Sequence, residues 1–169
     1  MKYPIKLRAL ELEDLDVLYQ TENDVRLWDL GSTNVPYSRQ ILRDFILNST
    51  GDIYIDKQVR LMIENGEGKV VGMADLIGFD PRHRRAEVGI VILEYYRHQG
   101  YGRASLIKLQ EYAWQTLCLH QLYAYIDIRN EASLQLFSEV GFQRIATLRD
   151  WLYCKECYHD AVLMQRVMC

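Results

Sequence analysis

Arg97, Gly100 and Gly102 stand in the stretch YYRHQGYGRASL, between an apolar run and a helix-like run that begins near Gly102 or Arg103. Glycines two apart let backbone N–H groups approach a ligand with no Cβ in the way. A helix start adds unpaired N–H groups and the positive end of its dipole. Such a loop receives an anion, with a pyrophosphate as the natural occupant, although a tight strand-to-helix turn with no ligand uses the same residues. A P-loop would need Gly-Lys-Ser/Thr, whereas Gly102 is followed by Arg103-Ala104. A dinucleotide fingerprint would need a small residue three after Gly102 and a later acidic strand end, and Ser105 fits it poorly. The second chemical group is Glu87, a carboxylate set between Ala86 and Val88 in the run AEVGIVIL. Partial desolvation there would raise its pKa and suit it to take a proton, directly or through water; an ion pair with Arg84 or Arg85 is the competing role.

Other candidates carry less. Cys154 and Cys157 form a CxxC where the last hairpin should turn, but a structural zinc needs two further ligands and only His159 is near in sequence. His83, His98, His120 and His159 make no i, i+4 pair, and no metal is expected. The basic run RHRR at 82–85 reads as a solvated patch or a contact for a cofactor phosphate.

These groups need a frame, and hydrophobic periodicity supplies one. IKLRAL (5–10) alternates as a strand, and LEDLDVLYQTE (12–22) places Leu12, Leu15, Leu18 and Tyr19 on one helical face. Ser38 caps a second helix over 38–47, with Ile41, Leu42, Phe45 and Ile46 at helical spacing. VRLMIE (59–64), the turn NGEGK, VVGMADLIGF (70–79) and AEVGIVIL (86–93) predict three consecutive antiparallel strands. The quoted loop then leads into a helix over 103–117, buried along Leu106, Leu109, Tyr112 and Ala113. QLYAYID (121–127) is a strand, NEASLQLFSEV (130–140) a helix closed by Gly141, and the remainder a hairpin.

The chain has 169 residues, 49% hydrophobic and 25% charged, with a formal net charge of −3. That composition fits one α+β domain over 1–169 with a real core. No stretch reaches the roughly 18 apolar residues of a membrane span, and the polar N-terminus does not read as a signal peptide. A cytoplasmic protein with reduced thiols is expected, with neither nucleic acid nor membrane as partner.

The pattern R-x-x-G-x-G at Arg97, Gly100 and Gly102, followed by Asn130 opening a later helix that ends in Gly141-Phe142, resembles the GNAT superfamily of acyl-CoA-dependent N-acetyltransferases. With HRRAEVGIVI (83–92) and NEASLQLFSEVGF (130–142), it looks most like the bacterial branches that acetylate spermidine or protein N-termini. The resemblance implies a central mixed, mostly antiparallel sheet with a splay between two parallel strands, 86–93 and 121–127, flanked by helices. It also implies acetyl-CoA as co-substrate, with the pantetheine arm in the splay near Ile90, Val91 and Ile92. The pyrophosphate would lie on Arg97, His98, Gln99, Gly100, Tyr101, Gly102, Arg103, Ala104 and Ser105, while Asn130 and Ser133 would hold the cofactor from the next helix.

An alkylamine of pKa about 10.4 is mostly protonated at pH 7, and freeing its lone pair costs about 4.6 kcal/mol, so a base is useful and Glu87 is the candidate. The family motif carries a tyrosine seven residues after its asparagine as the acid for the leaving thiolate; this chain has Phe137, whose ring is expected near the sulfur. Tyr125 is the first substitute for that acid, with Tyr101 and Tyr123 as others. The acceptor pocket is expected between the early helices and the splay, lined by Trp28, Asp29, Asp75 and Glu87. The expected function is acetyl transfer to a primary amine, either a small-molecule polyamine or a peptide N-terminus, with a homo-oligomer left open. The alternative motivated by Phe137 is a catalytically weak or inactive CoA-binding protein.

Overall fold

The structure, a computed structural model, describes residues 4–28 and 35–168. Strand β1 (Ile5–Ala9) is followed by a 3-10 turn over Leu12–Asp14 and by helices α1 (Leu15–Glu22), α2 (Val25–Trp28), α3 (Arg39–Asn48) and α4 (Ile53–Asp56). Strands β2 (Val59–Asn65), β3 (Val70–Asp80) and β4 (Arg85–Ile92) come next, then α5 (Tyr101–Gln115), β5 (Gln121–Asp127), α6 (Glu131–Glu139), β6 (Gln143–Cys154) and β7 (Cys157–Val167). The short α2 and α4 have no periodic pattern long enough to be read from sequence. Ser38 caps α3 as its spacing predicts, its hydroxyl accepting from the Ile41 N–H. Helix α5 begins at Tyr101, earlier than its apolar spacing suggests, because Gly100 takes the cap position at φ 86.

The seven strands form one sheet in the order β1-β2-β3-β4-β5-β7-β6. Every pair is antiparallel except β4 with β5. Helices cover both faces. On one, Leu106, Leu109 and Ala113 of α5 and Phe137 of α6 join Ala74, Leu76, Ala86, Val88, Leu122 and Ala124 in the main core. On the other, Leu18 of α1 and Leu42 of α3 pack over Met62 and Met73. A part-buried ion pair ties the first strand to the turn that opens α1: the Arg8 guanidinium donates to both Asp14 carboxylate oxygens, at 2.7 and 2.9 Å.

Candidate active site

Strands β4 and β5 pair only through Arg85↔Gln121, Ala86↔Leu122 and Glu87↔Tyr123. Beyond that rung β4 stays with β3 as far as Ile92, and β5 stays with β7 through Asp127. The two parallel strands therefore part after Glu87 and Tyr123. The Leu93 N–H donates to the Val71 carbonyl across the β3–β4 pair, at 2.9 Å. Backbone groups alternate along a strand, so Val88, Ile90 and Ile92 turn theirs toward the gap. This corrects the expectation for Val91, whose backbone groups pair with β3 at the rung with Met73. The Ile92 carbonyl accepts from Arg97 Nε at 3.0 Å, which ties the glycine loop to the gap.

The loop itself turns through two left-handed residues, His98 at φ 59 and Gly100 at φ 86. Ala104 is the residue whose N–H closes the first helical bond, to the Gly100 carbonyl at 3.1 Å. The N–H groups of Gly102 and Arg103 thus belong to the unsatisfied start of α5, where an anion is favoured. Gly102 has a second reason to lack a side chain: a Cβ there would lie 3.1 Å from Leu136 of α6. Arg97, His98, Gln99, Gly100 and Arg103 are exposed, whereas Ala104 is half-buried. Gln99 donates its side-chain amide to the Tyr95 carbonyl at 2.8 Å, bracing the loop from inside. Ser105 departs from the expectation that it lines the cradle, while Tyr101 keeps only its side chain out of it. Tyr101 is buried with its ring edge-on to Tyr96 at 5.9 Å, and Ser105 is fully buried on the inner side of α5.

At the far side of the gap Asn130 is the N-cap of α6, its Oδ1 accepting from the Ser133 N–H at 3.1 Å. Both residues are half-buried. Phe137 is corrected from a cofactor contact to a core residue: its ring is 3% exposed and packs edge-on against Phe142 at 4.9 Å. The basic run 82–85 lies at the opposite end of β4 from the loop. There Arg84 donates to the Cys118 carbonyl and Arg85 pairs with Asp80, so a role on a cofactor phosphate at the loop falls away.

The face of the sheet under α1 and α3 carries the polar groups. Glu87 stands opposite Ile77 on β3 and Tyr123 on β5, and Gly89 stands opposite Asp75. Glu87 is half-buried, and burial pushes its carboxyl above the ordinary value. Among the described residues it has no hydrogen-bond or ion-pair partner, so the competing pairing with Arg84 or Arg85 is not made. The Tyr123 phenol is also pushed up, by burial first and by the Glu87 charge second. Tyr125, two residues on, is 36% exposed, and its ring lies against Tyr123 at 5.7 Å and Trp151 at 5.6 Å.

Asp75 is not free to meet an acceptor alone. Arg60, its cross-strand partner, binds both carboxylate oxygens at 2.8 and 2.9 Å and also holds Glu22 at the end of α1. This three-residue clamp escaped the sequence reading, although the register of the β2–β3 hairpin places Arg60 opposite Asp75. A cavity of about 210 Å³ opens beside it, with Tyr37, Phe45 and Ile77 as its apolar wall. Trp28 lies half-buried with its Nε1 donating to the Glu22 carbonyl at 2.8 Å, closing the end of α1. Asp29 lies outside the described residues. A larger cavity of about 290 Å³ sits at the other end of α5, beside Trp114 and Arg166, and contains none of these groups. Among the described residues no cluster of three or more His, Cys, Asp or Glu could hold a metal ion, and no helix is long and apolar enough to cross a membrane.

The geometry has its counterpart in known proteins. The family model for the acetyltransferase (GNAT) domain matches residues 5–143. Spermidine N(1)-acetyltransferase of Escherichia coli (strain K12) is 27% identical over 166 residues, covering 96% of this chain and 85% of its own. The putative ribosomal N-acetyltransferase YdaF of Bacillus subtilis (strain 168) is 30% identical over 165 residues, covering 94% and 88%. The crystal structure of spermidine N-acetyltransferase from Vibrio cholerae in complex with CoA and spermine matches the fold with a TM-score of 0.88 at 23% identity, over 96% of this chain and 95% of that one. A sheet that splays where a glycine loop opens a helix, joined to these matches, places the chain in the GNAT family: it is an N-acetyltransferase that takes its acetyl group from acetyl-CoA.

Proposed function

We propose that this acetyltransferase acts on a polyamine of the spermidine class, with Glu87 as the base that frees the attacking amine. The observation that carries the assignment is the half-buried, unpartnered carboxylate on the last paired rung before the gap. Polyamine is favoured over peptide because spermidine acetyltransferases recur among the relatives, and because Glu22 and Asp75 share the single Arg60 guanidinium beside the cavity while Glu87 on the same face has no cation paired to it among the described residues. A cytoplasmic location goes with this reading, which joins a polyamine to a chain whose cysteines are expected to be reduced.

The residues present fit the cofactor. Arg97, His98, Gln99, Gly100, Gly102 and Arg103 would hold its diphosphate, Ala104 having spent its N–H on the helix, and the backbone groups of Val88, Ile90 and Ile92, with Asn130 and Ser133 opposite, would hold the arm. When bound, acetyl-CoA supplies an acetyl thioester. Backbone N–H groups turned into the gap then face the developing oxyanion, with no reorganisation needed at the moment of reaction. A Glu87 carboxylate oxygen accepts the amine proton, and its raised pKa brings it closer to the working pH than an ordinary carboxylate. The Tyr125 hydroxyl donates to the departing thiolate. With no tyrosine at position 137 that donation is an aid and not a condition, since a thiol of pKa about 8.5 leaves readily as a thiolate.

Turnover of acetyl-CoA with spermidine, spermine, simple monoamines and peptide N-termini, read by released thiol, tests the proposal. Saturable thiol release with spermidine or spermine is the expected result. Acetylation of peptide N-termini with none of any polyamine would overturn the acceptor class and leave the acetyltransferase assignment standing.

A further inference from the structure

The hairpin between β6 and β7 ends in Cys154-Lys155-Glu156-Cys157. Lys155 and Glu156 sit at φ 49 and 63, the left-handed pair of a two-residue turn, and Cys154 and Cys157 face each other as the last rung of the hairpin. Directly opposed residues of an antiparallel pair have Cα atoms about 4.5–5.5 Å apart, within the roughly 4.4–6.8 Å that a disulfide spans, and their side chains share a face. Both thiols are reduced in the structure. They differ in access: Cys157 is exposed, whereas Cys154 is 8% exposed. The Arg129 guanidinium donates a hydrogen bond to Cys154, which fixes that sulfur beneath the tip. An accessible thiol directly opposed across the rung by a buried one is the arrangement of an attacking and a resolving cysteine.

We propose that Cys154 and Cys157 form a reversible redox-modification site that reduces a low-molecular-weight disulfide and closes a cross-strand disulfide at the hairpin tip. The Cys157 thiolate attacks one sulfur of the small disulfide, and the first small thiol leaves with a proton. The Cys154 thiolate then attacks the Cys157 sulfur and releases the second small thiol. Two electrons and two protons pass from the cysteine pair to the small disulfide, and no other reactant is needed. The bond so formed sits at an exposed tip, which makes it a labile disulfide and not a structural staple. Its position connects it to the active site. The Ile128 N–H donates to the Asp160 carbonyl of β7, and Arg129 also clamps Asp127, the last residue of β5 before the Asn130 cap.

Folded protein carrying Cys118→Ser and Cys169→Ser isolates the pair for the test. Incubation with oxidised glutathione, acid quenching and intact-mass and peptide mapping should show loss of two hydrogens per chain, a Cys154–Cys157 cross-linked peptide and two glutathione thiols released, all reversed by dithiothreitol. Cys154→Ala should stop at one stable glutathione adduct on Cys157, and Cys157→Ser should leave Cys154 unmodified over the time in which the parent is fully oxidised. A pair that stays reduced, or that collects adducts on both cysteines without closing, would overturn the proposal.

Discussion

Glu87 concentrates the chemistry and part of the instability of the molecule in one side chain. As the base it must be unprotonated, so Glu87→Gln is expected to lower kcat about 10²-fold near pH 7 with acetyl-CoA affinity kept. Partial recovery should appear at high pH, where the amine is already free, and a pH profile of initial rates reads both effects. The same burial that raises the carboxyl pKa makes the native state bind protons more readily than the unfolded chain. Stability contributed by the protonated form is complete below the ordinary value of 4.5 and is lost as pH rises through the higher folded value. Glu87→Gln should therefore be more heat-stable than the parent at neutral pH, with the advantage shrinking as pH falls through the raised folded value and gone below about 4.5. Melting curves of the two proteins across pH decide it; a constant difference would show that burial does not perturb this carboxyl.

Two helices position the site by their ends, and each carries a residue whose replacement separates packing from chemistry. Gly100 caps α5 at φ 86, a conformation that costs an L residue about 1–2 kcal/mol and a β-branched one more. Gly100→Val should destabilise the fold by about 2 kcal/mol and also abolish stabilisation by acetyl-CoA; Gly100→Ala should share the first effect and lose less of the second. Differential scanning fluorimetry with and without acetyl-CoA separates these outcomes. On α6, Phe137→Tyr places a hydroxyl inside the core beside Phe142, with an expected cost of about 1–3 kcal/mol in urea unfolding and no gain in kcat. A tenfold or larger rise in kcat would show instead that the ring edge reaches the thioester.

At the scale of the whole molecule the cofactor and the sheet edge each carry an expectation. Ligand at 100 times its dissociation constant adds about 2.7 kcal/mol to folding, so saturating acetyl-CoA should raise the melting temperature of a chain this size by several degrees. No shift would remove the cofactor assignment of the loop. Strand β6 lies at the edge of the sheet, mostly exposed over Gln143–Cys154, with Ile145, Trp151 and Tyr153 more than half exposed. An uncovered edge of this length with large apolar side chains favours pairing with another chain. Sedimentation should accordingly show a species larger than the 19.9 kDa monomer, and a monomer at all concentrations would refute self-association.

Local chemistry is what the sequence by itself determined. Alternation and helical spacing mark the major elements, Ser38 and Gly141 mark helix ends, and the paired glycines mark a loop that accepts an anion, because each is set by neighbours within a few residues. The single carboxylate in the apolar run at 86–93 is legible for the same reason. Which backbone groups meet the gap was decided only by register: the β3–β4 pairing uses Val91 and leaves Val88, Ile90 and Ile92 to the splay. Asp75 reads as a lining acid until the chain folds and Arg60 takes both of its oxygens. Phe137 and Ser105 are expected at the site from the family resemblance, yet the rotation of each helix against the sheet turns them into the core. Seven residues of helical spacing fix which positions share a face, but only the packing of that face against a sheet fixes whether it looks toward a ligand or toward Phe142.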